Sequence, residues 1–226
     1  MPRASRQRIL DAAERLFAHH GIAAVSLREI IAAADHGNMS AVQYYFGSKR
    51  GLVRAIMAER ERTLDRRRLA LLAEAERQGR ASDLRSLIEA IVGAFAESLH
   101  AGSCHARFYA QVFNDPAADH VPWTDLPAQP GIRRIIVRIR ATLPHLPATL
   151  RTERLRFAWR LADTVFALHE RDLEAGRRSA ASTAAVTANL ADMMVGLLTA
   201  PVTSPRHRPT RSARTAAPTA RGSSRS

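Results

Sequence analysis

The sequence predicts an all-α protein of about nine helices. Apolar residues recur at helical spacing through almost the whole chain, and no stretch shows the sustained two-residue alternation of a strand. Helix-stopping residues, among them Gly21, Gly79, Pro116 and Pro144, fall between the periodic runs.

The first helix is expected from Arg6 to His20, with Ile9, Leu10, Ala13, Leu16 and Phe17 on one face. Ser5 is its expected cap, and Gly21 its left-handed stop. A second helix starts after Ser26, where Ser26-Leu27-Arg28-Glu29 reads as a capping box, and buries Leu27, Ile30, Ile31 and Ala34. A short third helix covers about Met39 to Tyr45. After the break at Gly47-Ser48, a long helix runs from Lys49 to about Arg77. Ser82 or Asp83 caps a fifth helix bearing Leu84 to Leu99, and a sixth runs from Cys104 to Asn114. The stretch from Ala117 to Gln129 is irregular. Pro130 or Gly131 opens a seventh helix through Leu143, and two more are expected at about Ala148 to Leu173 and Ser179 to Thr199. From residue 201 onward, Pro, Thr, Ser, Ala and Arg without periodicity read as a disordered tail.

The 226 residues carry a formal charge of +13. Six arginines and no acid lie in residues 202–226, so subtracting them leaves +7 for the rest. That surplus permits a polyanionic partner without naming one. Every cationic side chain except Lys49 is Arg, which lowers the weight any single arginine carries. No apolar run approaches the ~20 residues a membrane helix needs, and no apolar leader opens the chain; the expected compartment is the cytoplasm. Cys104 is the only cysteine, so neither an intrachain disulfide nor a cysteine metal site is available. It reads as a small core side chain, with a redox sensor as the sharper alternative. The nine histidines lack metal-ligand spacing, and no glycine-rich phosphate loop occurs. Neither enzymatic activity, nor a cofactor, nor a metal is expected.

Two short helices joined by a turn, the second entering the ~12 Å major groove, are how many proteins read DNA. Ser40-Ala41-Val42-Gln43-Tyr44-Tyr45-Phe46-Gly47-Ser48-Lys49 resembles the recognition-helix signature of the TetR/AcrR family of transcriptional regulators. Ile9 to Phe17 with Gly21, and Val25 to Ile30, resemble that family's first two helices, in order and at near-family spacing. The resemblance covers the head alone. It implies an all-helical homodimer that binds double-stranded DNA, with a divergent C-terminal domain for dimerisation and a small-molecule effector that relieves repression. The corresponding division is a head at 1–51, a helical body at 52–200 and the tail at 201–226.

Within the head, Met39, Ser40 and Ala41 fall on the first turn of the reading helix. Ser40 can bond base edges or phosphate, and Met39 and Ala41 can touch a thymine methyl. Gln43 is the best base reader, since its amide can pair bidentately with adenine; its competing role is partner in a Ser40 capping box. Tyr44 and Tyr45 are placed for phosphate or sugar, though one of the two could instead pack inside the head. Phe46 matches the family's core phenylalanine. Lys49, at the start of the long helix, and Arg28 are candidate backbone contacts, as are Arg3 and Arg6 on a flexible arm. Two features depart from the family pattern: Tyr45 replaces a usual histidine, and the turn Asp35-His36-Gly37-Asn38 is one residue longer, with Gly37 suited to a left-handed position.

In the body, Leu155, Ala158, Leu161, Ala162, Val165 and Leu168 on one helix, and Ala185, Leu190, Met193, Met194 and Leu197 on the last, could form a four-helix dimer interface or be buried within one monomer. Phe95, Phe108, Tyr109, Phe113, Trp123, Phe157, Trp159 and Phe166 are candidates to line an apolar cavity, with Tyr109, Trp123 and His169 as polar tips. A shortage of acidic residues near these aromatics argues against a cationic ligand. Two rival readings remain: an all-helical scaffold whose basic character only confers solubility, and a DNA-binding activator without ligand control.

Overall fold

The computed structural model describes residues 2–35, 41–114, 129–177 and 182–202. Among them are nine helices and no strand: α1 (Pro2–His20), α2 (Leu27–Ala33), α3 (Ala41–Phe46), α4 (Lys49–Arg77), α5 (Leu84–Ala96), α6 (His105–Asn114), α7 (Pro130–Thr142), α8 (Ala148–Glu174) and α9 (Thr183–Thr199). The expected tail beyond 202, the left-handed role of Gly37, and the stretch 115–128 that includes Trp123 lie outside the described residues.

Ser5 is not the cap of α1. The helix continues through it to Pro2, whose fixed φ suits a first helical turn that needs no N–H from it. Arg6 therefore sits on a helix rather than a flexible arm, with its guanidinium 5.4 Å from the centre of the Phe46 ring. Gly21 ends α1 at φ +83, a conformation disfavoured for residues with a Cβ. The Ser26 capping box forms: Ser26 Oγ accepts from the Glu29 amide at 3.2 Å, and the Glu29 carboxylate accepts from the Ser26 amide at 2.7 Å. That second bond holds the Glu29 carboxyl below its ordinary range. At Asp35 the backbone takes φ +48, so a non-glycine residue makes the left-handed step after α2.

Ile9, Ala13 and Phe17 of α1 meet Ile30 of α2, Val42 of α3 and Leu52 and Ile56 of α4 in the core of the head. The bend between α3 and α4 is made by Gly47 at φ +70 and closed by Ser48, whose Oγ accepts from the Gly51 amide at 3.0 Å. From there α4 runs into the body, so one helix belongs to both regions. In the body α5 is central, packed by α4, α7 and α9, and α8 packs on α6 and α9. α6 also lies against α1, where Phe108 stacks on Phe17 with ring centres 6.4 Å apart.

Two helices of the body begin on carboxylates sent from elsewhere. Asp65 of α4 accepts from the amides of Gly131 and Ile132 at 3.0 and 2.9 Å, at the first turn of α7. Glu170 of α8, fully buried, accepts from the amides of Ala106 and Arg107 at the first turn of α6, and from Ser103 Oγ at 2.7 Å. Helix N-termini expose amides that must find acceptors, and here tertiary neighbours supply them.

Candidate DNA-binding head and body cavity

α3 is anchored by Val42, which is fully buried, and rests on α4. Gln43 and Tyr44 project the other way: both are exposed, Tyr44 at 83%, the most exposed large apolar side chain among the described residues. Tyr45 is half-buried and meets Tyr44 edge-on, with ring centres 5.0 Å apart. Phe46 is half-buried beneath Arg6. Arg28 is exposed on α2. Ala41 opens α3, while Met39 and Ser40 lie outside the described residues. The Lys49 ammonium turns back into the head, donating to the Ala23 carbonyl at 3.2 Å and lying 5.9 Å from the Phe17 ring centre. One of its three donors thus ties the start of α4 to the α1–α2 turn.

A short helix standing on a rigid core, with an amide and a phenol outermost, can present hydrogen-bonding groups to a groove. Residues 9–56 match the model of a family described as bacterial regulatory proteins, tetR family. The chain has the DNA-binding head of the TetR family. It is accordingly a DNA-binding transcriptional regulator of helix-turn-helix type. No curated protein matches it. The matched segment ends within the second turn of α4, so the body and its contents stand on geometry alone.

Beyond the TetR-family head, α4, α5, α6, α7 and α8 surround a small, mainly apolar cavity of about 50 Å³. Phe95, Tyr109, Trp159 and Phe166 form its aromatic walls. Phe95 stacks on Phe166 at 5.2 Å and meets Tyr109 edge-to-face at 5.5 Å. Four of the expected lining residues are thus brought together, and others are not. Phe108 is fully buried against Phe17 instead. Phe113 packs beside Tyr109, 5.8 Å away, but outside the cavity wall. Phe157 is 48% exposed, because two residues before Trp159 a helix has turned through about 200°. His169 is buried against α9, its Nε2 2.9 Å from Thr183 Oγ1.

On the polar side of the cavity, sequence reasoning finds the Tyr109 hydroxyl and misses Glu61, Arg68 and Asp163. Arg68, only 4% exposed, pairs with Glu61 at 2.6 Å, and the Tyr109 hydroxyl donates to the other Glu61 oxygen at 2.7 Å. Burial next to Glu61 pushes the Tyr109 phenol well up, so it stays a proton donor. Asp163 faces the same space, and burial pushes its carboxyl up to about 7. A carboxyl raised in the fold stabilises it below its unfolded value near 4 and loses that contribution as pH rises through 7. The argument from scarce acids therefore fails here: two carboxyl groups from distant positions on α4 and α8 converge on the aromatics. One signal could have found the first set. Glu61, Asp65 and Arg68 fall in phase with Met57, Leu64 and Leu72 on the buried stripe of α4.

Among the described residues no group of three or more His, Cys, Asp or Glu is placed to hold a metal ion, and no helix is long and apolar enough to cross a membrane. Cys104 is buried, and desolvation, aided by Glu14 and Glu170, pushes its thiol up to about 12. The thiolate is the reactive form, so the redox-sensor alternative loses its chemistry. Native protein at pH 8 is expected to resist iodoacetamide while urea-unfolded protein is alkylated within minutes. Mass spectrometry checks this, and rapid native modification at Cys104 would refute it.

Proposed function

We propose that the protein is a homodimeric repressor, acting in the cytoplasm, that a small molecule releases from a palindromic operator. The observation that carries the DNA side is the exposed Gln43–Tyr44 pair on α3, inside the segment that matches the family. In this reading Gln43 reads a base edge, Tyr44 and Tyr45 fix register on the backbone, and Arg28 adds a phosphate contact. Met39, Ser40 and Ala41 complete the reading turn, and Lys49 offers its remaining donors to phosphate. The head is residues 1–51, the body 52–200, and the tail 201–226 adds only salt-sensitive attraction.

Dimerisation is supported by the outer face of α8 and α9. Of the stripe first assigned to the interface, Leu155, Ala158, Ala162, Leu190 and Met194 are buried within the monomer. Leu161, Val165 and Leu197 are half-buried, while Leu168 and Met193 remain 49% and 37% exposed, and Phe157, about three turns before Leu168 on α8, is exposed too. The interface is therefore narrower than the sequence stripe and displaced outward. Release by a small molecule is supported by the aromatic cavity, whose neighbour α6 also touches α1.

The test is a mobility shift on an operator selected from random palindromes. Gln43→Ala with Tyr44→Ala should weaken specific binding by about 100-fold, since each contact is repeated in two half-sites and a good base contact is worth about 1–3 kcal/mol. Sedimentation should still give a dimer. Specific binding that survives the double change would sink the site assignment.

A further inference from the structure

Two polar atoms on the wall of the body cavity have no partner. The Nε–H of Arg68 is buried without an acceptor, and Oδ2 of Asp163 is buried with no hydrogen bond. Both side chains line the same space, among Phe95, Trp159 and Phe166. Other buried carboxylates of the body are well matched: Glu61 takes Arg68 and Tyr109, Asp65 two amides, and Glu170 two amides and a hydroxyl. A buried polar atom without a partner costs about 1–3 kcal/mol, and its persistence calls for a reason.

The two atoms are complementary. Arg68 Nε can only donate, and Asp163 Oδ2 accepts whenever the carboxyl is ionised. Arg68 is neutralised by Glu61. Asp163 has no cation bonded to it, and burial pushes its carboxyl up to about 7, so its charge is held only at a cost. An anion entering this space would face Glu61 and Asp163, and a cation would have to leave water and hold Asp163 ionised against its burial. An uncharged molecule with one acceptor and one donor satisfies both orphans at no such cost.

We propose that this cavity binds an uncharged aromatic molecule bearing a carboxamide or an equivalent donor–acceptor pair. Its carbonyl accepts from Arg68 Nε, its N–H donates to Asp163 Oδ2, and its ring lies against Phe95, Trp159 and Phe166. The assignment rests on the effector reading above and names the chemistry of that effector.

Benzamide, benzamidinium and benzoate have nearly the same shape and differ in charge, so they test the assignment on the full chain without DNA. Titration at pH 7, followed by calorimetry and saturation-transfer NMR, should give saturable benzamide binding at least ~10-fold tighter than either ion, the equivalent of one buried polar contact. Asp163→Ala should weaken benzamide by a similar ~10-fold factor, whereas Asp163→Asn, which keeps the size and the acceptor, should retain it. Rescue by the amide variant separates a lost contact from a damaged fold. Either ion binding as tightly as benzamide, benzamide indifferent to Asp163→Ala, or no saturable binding at all would overturn the proposal. A parallel mobility shift keeps the two readings apart: saturable benzamide binding that leaves operator affinity unchanged sinks effector release and leaves the ligand assignment standing.

Discussion

Gly51→Ala is expected to disable the DNA-binding head. Gly51 is the third residue of α4, where its amide completes the Ser48 cap. A Cβ built there would lie 1.9 Å from the Phe46 carbonyl oxygen and 3.1 Å from its carbon. Both atoms are backbone at the end of α3, so no side-chain rotation relieves the overlap. Either α3 moves off α4 by more than an ångström or the first turn of α4 opens and loses its cap. The expected cost is about 2–4 kcal/mol, combining overpacking with a lost cap. The effect on binding should exceed the effect on stability, because α3 carries Gln43 and Tyr44 and its position sets their reach. Urea unfolding and fluorescence anisotropy on operator DNA would measure the two separately. A variant whose stability and affinity both match the parent would show that the α3–α4 junction is not tight.

Glu170→Ala is expected to cost about 3–5 kcal/mol, the range for breaking a buried charge pair from one side. The carboxylate takes the Arg107 guanidinium at 3.3 Å as well as Ser103 Oγ and the first amides of α6. Removing it leaves the amides of Ala106 and Arg107 without that acceptor in a buried place, while Ser103 Oγ still reaches the His100 carbonyl at 2.8 Å. Arg107 keeps two partners, Glu174 at 2.6 Å and the Ser103 carbonyl at 3.2 Å, which limit the loss on that side. For a chain of this size each kcal/mol lowers Tm by about 2–4 °C, so a fall of roughly 10 °C is expected in calorimetry. A fall of only a degree or two would mean the amides of α6 find other acceptors easily.

Local signals made most of the helix boundaries legible. The long helix α4 has the expected ends because Gly47-Ser48 before it and Gly79 after it act on their immediate neighbours. Asp83 caps α5 for the same reason, its carboxylate accepting from the Ser86 amide at 2.9 Å. Where a terminus is decided from a distance, the sequence is silent. Nothing around His105 or Pro130 announces that Glu170 and Asp65 complete those first turns, since the acceptors lie more than sixty residues away. The site followed the same division. Phe95, Tyr109 and Phe166 were recognisable as aromatic candidates, but Phe157 and His169 depended on the rotation of α8, which periodicity alone leaves loose. Arg68 was hidden for a different reason. It ends the run Arg66-Arg67-Arg68, which reads as a solvated face, and only its phase with Leu64 and Leu72 distinguishes it from its neighbours.

The two borrowed caps also differ in when they arrive. A chain made from its N-terminus produces Asp65 well before Gly131, so α7 can be closed as soon as it emerges. For α6 the order is reversed: Ala106 and Arg107 are made more than sixty residues before Glu170. During that interval the first turn of α6 has no carboxylate, yet Phe108 on this helix is the surface against which Phe17 of the head stacks. The head can complete its own core early in synthesis, but its packing against α6 is completed only once α8 has been made.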